Sequence, residues 1–478
     1  MDLVRIKLFL QDSGLASEFA LLAGIIVLAG WMFLSPNSSF GIGIWIGLFS
    51  IAASFFLAGF TPFEGHYHGL SFETWTVYLK RFFGISTSVA FFGYLEWRNG
   101  RNEPARPEIL LFFLAAQLSL SLLVQASEPW MMIIFAEGFS FAAYGLAKPM
   151  NSDKNGSEAL LKYFATGALA TAVGIFGMTW ILGFQGTIMD TNGGFFESIA
   201  FFPVAGAIFF MAFLLFKLGA FPFHFWVPGV FEEAPTPVSG YLAAAPKVAA
   251  AFAMLQLVAE VEANLTIPLI LLAGASILLG NLAALGTLKV KSLLAFSAIG
   301  QSGLLLIPAV FSRMVSGADL HLVVLAVGYA VAVQGAFSTV QYFENHLRDD
   351  LVVSDLSGAF KNHPLPCILF LIQIIALAGM PPTIGFTGKL LVFSGILGGI
   401  NLLPHVFVYL LFGLGVLSTL LSMAYLFRFP YEFLFKPGKW EDHTFRNSSA
   451  SLFWMFLVSL FLILAFFKPT LFFPLASI

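Results

Sequence analysis

The chain has little charge and almost no cysteine. Only 10% of its 478 residues are charged, with 23 basic against 26 acidic side chains and a net charge of -3. Soluble chains carry nearer a quarter charged residues. A soluble fold of this length would split into two or three domains, each with a polar surface to cover. This chain cannot cover it. The lack of a basic excess excludes a nucleic-acid footprint. The single cysteine, Cys367, excludes disulfide scaffolds, thiolate zinc sites and iron–sulfur clusters held by this chain alone. No Walker loop, dinucleotide glycine fingerprint or histidine pair at haem depth occurs. In excess are apolar side chains: 59% of residues are hydrophobic, and 57 are phenylalanine. The composition reads as an all-α polytopic membrane protein.

Crossing the hydrocarbon takes about 20 apolar residues in a helix. Such runs lie near 19–34, 40–60, 78–97, 107–126, 128–147, 158–182, 199–221, 236–259, 265–286, 292–310, 320–340, 364–400, 404–427 and 450–473. They predict fourteen transmembrane helices. The lead from Met1 to Glu18 lacks a compact cationic start and a clear small-residue cleavage site, so it does not read as a removable signal. An even count puts both termini on one side. The loops after odd-numbered spans hold thirteen basic residues, among them Arg98, Arg101, Arg106, Lys148, Arg428 and Arg446. The side with the termini holds six: Arg5, Lys7, Lys80, Arg81, Arg313 and Lys468. The positive-inside rule then predicts both termini outside the cytoplasm.

Two runs are interrupted. One ends in Lys217-Leu-Gly219-Ala-Phe-Pro222-Phe-His224-Phe-Trp-Val-Pro228, and the other carries Ala378-Gly379-Met380-Pro381-Pro382-Thr-Ile-Gly385-Phe-Thr-Gly388-Lys389. Proline removes a backbone donor and clashes with the preceding turn, while glycine relaxes the helix. Broken backbone at membrane depth is tolerated only where it is buried or lines a wet cavity. Such breaks in spans 7 and 12, five apart, suggest two five-helix units, the second inverted because each has an odd number of spans. The expected organisation is N-terminal helices over 1–106, a first repeat over 107–259, a second over 260–427, and a C-terminal loop and helix over 428–478.

Five charges stand inside these runs: Glu137, Lys162, Lys217, Lys247 and Lys389. A charge at the bilayer centre costs roughly 2.5–3.5 kcal/mol on insertion scales, so each is a functional candidate facing the bundle interior. Lys247 lies about ten residues into its run among Ala243-Ala-Ala-Pro246-Lys-Val-Ala-Ala-Ala251, too deep to snorkel easily. Glu137 is also mid-span. Burial works against a charged lysine and a nearby carboxylate supports it, so a balanced pair can take up and release protons. Lys217 and Lys389 each border a break, where freed carbonyls and amides hold water. Lys162 lies near a span end, where snorkelling competes with function. His224, between Phe223 and Phe225, is either a packed core residue or a proton relay. His66 and His68 read as solvated loop, as do Asp349-Asp350 and Asp442-His443. Gly43-x-x-x-Gly47 is a common helix-packing pattern.

Three strings then carry a resemblance: Phe216-Lys217-Leu-Gly-Ala-Phe-Pro222-Phe-His224-Phe-Trp226-Val-Pro228, Ala245-Pro246-Lys247-Val-Ala, and Leu377-Ala-Gly-Met-Pro381-Pro382-Thr-Ile-Gly-Phe-Thr-Gly388-Lys389-Leu. Together with Ser157-Glu-Ala-Leu-Leu-Lys162-Tyr-Phe, they resemble the antiporter-like membrane subunits of respiratory complex I, the proton-pumping NADH:quinone oxidoreductase, most of all its subunit N type. The resemblance implies an ion pair between Glu137 and Lys217, a central relay at Lys247 and a terminal exchange site at Lys389. His224 would lie on the path and Lys162 beside the pair. It implies no cofactor in this chain, with NADH, FMN, iron–sulfur clusters and quinone in partner subunits. The expected partners are neighbouring antiporter-like and small membrane subunits and the lipid bilayer. The expected location is the bacterial inner membrane, with the termini periplasmic. Gly229, Glu232-Glu233 and Ser292 depart from the family pattern. A multi-subunit cation/proton antiporter and a membrane hydrogenase share the same channel residues and remain alternatives.

Overall fold

A computed structural model describes residues 14–34, 40–60, 65–67, 69–101, 103–104, 106–148, 154–185, 201–260, 265–312, 317–347, 351–399, 404–438 and 449–473. His68, Asp349, Asp350, Asp442 and His443 lie outside the described residues. In lipid every backbone polar group must be satisfied within the protein, which favours helices. Each apolar run accordingly holds helix. In order these are α1 (Ala16–Leu34), α2 (Phe40–Leu57), α3 (Thr74–Arg101), α4 (Glu108–Leu123), α5 (Pro129–Leu146), α6 (Lys154–Gln185) and α7 (Phe201–Leu218). Short α8 (Trp226–Glu233) follows, then α9 (Thr236–Glu260), α10 (Thr266–Gly286), α11 (Val290–Val310) and α12 (Ala318–Leu347). After the single turn α13 (Ala359–Asn362) come α14 (Pro364–Ala378), α15 (Ile384–Gly398), α16 (His405–Leu426), α17 (Arg428–Phe435) and α18 (Ser449–Phe467). Seven of these helices are long and apolar enough to cross a membrane by length and composition.

A two-stranded antiparallel hairpin, β1 (Gly65–Tyr67) with β2 (Leu70–Phe72), is the exception to the all-helical reading. It places His66 on a strand instead of in a loop. Two histidines at spacing two carry no strand signal of their own, and the pairing partner is the short apolar run that follows.

Burial sorts the helices. In α11 and α12 94% of the most apolar stretch is buried, against 28% in α1 and α6, so the former form the centre and the latter the flanks. The centre of α9 is alanine-rich, which lets neighbouring backbone come close to Lys247, itself only 1% exposed.

The run 364–400 is two helices, as its glycine and prolines predict, while α7 stops three residues short of the run's edge. Both stops have the same cause. Gly219 and Gly379 adopt left-handed φ values of 66° and 75°, a conformation that costs other residues about 1–2 kcal/mol. At the first break Gly219 N–H donates to Phe216 O and Ala220 N–H to Leu215 O, both at 3.0 Å. At the second, Gly379 N–H donates to Ala376 O and Met380 N–H to Ile375 O, again at 3.0 Å. The two helices are capped by one and the same motif.

Candidate functional site: a row of buried lysines at two helix breaks

A helix leaves its last four carbonyls without intrahelical donors. The caps satisfy two at each break, and what takes the others defines the site. At the first break Leu218 O accepts from Lys247 Nζ at 2.7 Å and from Ser302 Oγ at 2.8 Å. Lys247 Nζ also donates to Ala298 O at 3.0 Å and to Ser302 Oγ at 2.6 Å. All three ammonium donors are therefore used, and none goes to a carboxylate. At the second break Leu377 O accepts from Gln301 Nε2 at 3.2 Å, and Ala378 O from Lys389 Nζ at 2.8 Å. Thr419 Oγ1, on α16, stands 3.3 Å from the same Nζ.

One residue before Leu218 is the ion pair. Lys217 Nζ lies 2.5 Å from Glu137 Oε1 and from Ser140 Oγ, which sits one turn after Glu137 on α5. Thr171 Oγ1 on α6 donates to the same carboxylate oxygen at 2.7 Å. The Phe213 ring flanks the ammonium at 5.0 Å. Lys217 is 7% exposed and Glu137 22%, so the carboxylate is the member nearer the surface of this chain. The Glu137–Lys217 pair and Lys247 thus meet at the end of α7, where Lys247 bonds to the residue that follows Lys217. Gln301 and Ser302 of α11 lead from there to Lys389.

Two sequence candidates stand apart. Lys162 is exposed and pairs with Glu158 one turn back on α6, Nζ to Oε1 at 2.6 Å. His224 stacks on Phe225, ring centroids 4.5 Å apart. Among the described residues neither bonds to Glu137 or to the other three lysines. Conversely, Gln301, Ser302, Ser140, Thr171 and Thr419 did not stand out in the sequence.

A family model described as "NADH:quinone oxidoreductase/Mrp antiporter, TM" matches residues 126–422. The chain belongs to that family. A subunit N of NADH-quinone oxidoreductase from Erythrobacter litoralis is 35% identical over 369 residues, covering 75% of this chain and 72% of the relative. Among solved structures, a chain of respiratory complex I from Thermus thermophilus with bound Aureothin aligns with TM-score 0.78 at 24% identity, covering 96% of this chain and 98% of that one. A chain of the Mrp complex from Dietzia sp. DQ12-45-1b aligns with TM-score 0.80 at 14% identity, over 96% and 95%. These two show the fold alone. The family membership carries with it a membrane-embedded chain.

At the start of α11 a second polar cluster joins it to α8. Ser292 Oγ donates to Glu232 Oε2 at 2.6 Å, and Lys289 pairs with the other carboxylate oxygen. Partial burial pushes the Glu232 carboxyl up, but the Lys289 and Ser292 contacts outweigh it and hold the group below its usual range.

Proposed function

We propose that this chain is a proton-translocating membrane subunit of a bacterial NADH:quinone oxidoreductase, sited in the inner membrane with both termini periplasmic. Protons move through Glu137–Lys217, Lys247 and Lys389, while redox chemistry with NADH, FMN, iron–sulfur clusters and quinone belongs to partner subunits. Its subunit N relatives, together with the family match, support the assignment to that enzyme. In the proposed organisation residues 107–259 and 260–427 are the two repeats, and the matching caps at Gly219 and Gly379 support it.

The observation that carries the reading is the cage around Lys247. Three neutral oxygens hold its ammonium without a counter-charge, so its protonation answers to charge elsewhere in the row. Two like charges 10 Å apart repel by about 1.7 kcal/mol at an effective dielectric near 20, more than a tenfold bias. Glu137 closing on Lys217 cancels that ion's field. Glu137 moving away restores it and drives the next proton toward Lys389. Lys162 and His224 stand outside this bonded row, so their part is at its margins, exchanging protons through water.

Lys247→Ala in the assembled complex tests the path. Leu218 O keeps Ser302 as a donor, so assembly is expected to survive. Quinone-linked proton uptake into vesicles should fall, and Lys247→Arg should not restore it, because a guanidinium does not release its proton near neutral pH. Wild-type pumping by the alanine variant would make Lys247 a structural lysine.

A further inference from the structure

On the flank away from the lysine row, α2, α3, α12 and α18 enclose a cavity of about 790 Å³. Its walls are apolar, with Leu48, Ile85, Val327 and Phe461 representative of the four helices. Three polar side chains of α3 line it: Tyr78 and Arg81 near the helix start, and Ser88, whose hydroxyl donates to Gly84 O at 2.9 Å. The Arg81 guanidinium is placed with care. It lies over the Phe55 ring at 5.6 Å, and it occupies space that only Gly59 leaves free, since a Cβ there would fall 2.3 Å from Nη2. Yet among the described residues Arg81 has neither carboxylate nor hydrogen-bond partner, and its Nε is sealed from solvent. An unpaired cation in an apolar wall is costly. Among the described residues nothing satisfies it.

We propose that this cavity binds one anionic phospholipid, its phosphate on Arg81 and Tyr78 and an acyl chain along α12 and α18. The shape agrees. Tyr78 and Arg81 sit near the end of the membrane where α2 finishes and α3 begins, and the apolar walls run inward from there past Val327 toward Trp454. Guanidinium and phosphate form paired charge-assisted hydrogen bonds, and the tyrosine hydroxyl supplies one more. The acyl chain gains little, because lipid tails outside are equally apolar. Selectivity therefore rests on the headgroup and not on chain length, which distinguishes this site from a tail-lined annulus.

The test uses the assembled complex in phosphatidylcholine nanodiscs containing a trace of phosphatidylglycerol with a photoactivatable diazirine in its acyl chain. Cross-links are expected on the cavity faces of α12 and α18. Unlabelled phosphatidylglycerol should displace the probe about tenfold better than phosphatidylcholine does, the discrimination that one charged contact supplies. That comparison needs only the wild-type chain. Arg81→Leu should abolish the preference, and Arg81→Lys should keep part of it. Equal competition by the two lipids would overturn the proposal. So would failure to label α12 and α18 within the complex, which would mean that a neighbouring subunit covers this flank.

Discussion

Gln301 and Ser302, adjacent on α11, hold one carbonyl at each of the two helix breaks. Ser302 Oγ reaches Leu218 O at 2.8 Å and Gln301 Nε2 reaches Leu377 O at 3.2 Å. Successive residues on a helix point about 100° apart. One turn of α11 therefore stands between the breaks and touches both. Ser302 is also the hydroxyl on Lys247, where it can accept one proton and donate another. Ser302→Ala is expected to lower proton uptake per quinone reduced, leave the amount of assembled complex unchanged, and be rescued by Ser302→Thr. If the alanine variant pumps at the wild-type ratio, the hydroxyl only fills space.

The charged members of the site were legible because charges are rare in apolar runs. Glu137, Lys217, Lys247 and Lys389 each cost too much to bury without purpose, and all four lie in the interior or at its edge. The breaks were legible through glycine and proline, though the stop at Leu218 came from the left-handed Gly219 and not from the later prolines. The hydroxyls and amides were not legible. Ser302 also bonds to Ala298 O four residues back, as Ser140 does to Ala136 O, and many serines in apolar helices do only this. Nothing in their spacing says which will meet a lysine from another helix. Lys162 shows the converse limit. Apolar neighbours put it inside a run, but α6 begins at Lys154, so it sits on an early, outward-facing turn beside Glu158.

Gly379 separates the strain of a break from its chemistry. A Cβ there would lie 2.4 Å from Lys389 Cδ and 2.9 Å from Nζ, on a backbone at φ 75°. Gly379→Ala is expected to cost about 1–2 kcal/mol from the left-handed backbone alone. It should also swing the flexible lysine off Ala378 O. Thermal unfolding of the detergent-solubilised chain measures the first effect and vesicle proton uptake the second. In Gly219→Ala the backbone cost should be similar, but its Cβ would press on Val227 at 2.7 Å and on Lys247 Nζ only at 3.4 Å. The Gly219 variant should therefore lose less pumping for the same loss of stability. Equal losses of pumping would mean that the contact with Lys389 has no special weight.

Glu232 predicts a pH dependence at the foot of α11. Its folded-state value is depressed, so its contribution to stability is present above the ordinary carboxylate value and is lost as the pH falls through the lowered one. Glu232→Gln should lower the melting temperature at pH 7, and the difference should shrink as the pH falls below the ordinary carboxylate value and vanish once it is below the lowered one. A difference that is constant from pH 7 down to pH 3 would assign the effect to packing and not to the Lys289 and Ser292 contacts.

The proposed orientation can be tested at charges that lie away from the lysine row. Lys148, just after α5, belongs to the basic-rich side, and Lys468, just after α18, to the side of the termini; both are exposed. Cys367 is buried, so the unmodified chain should give a low background with an impermeant maleimide. In right-side-out spheroplasts Lys468→Cys should label at once, and Lys148→Cys only after the membrane is opened. The thirteen-to-six excess of basic residues sets this expectation. With the proposed inverted repeat it would also set which face feeds each half of the row, because the two halves would open to opposite sides. Labelling of Lys148→Cys in sealed spheroplasts, with Lys468→Cys protected, would reverse the orientation and with it the direction in which Glu137 and Lys389 exchange protons with water.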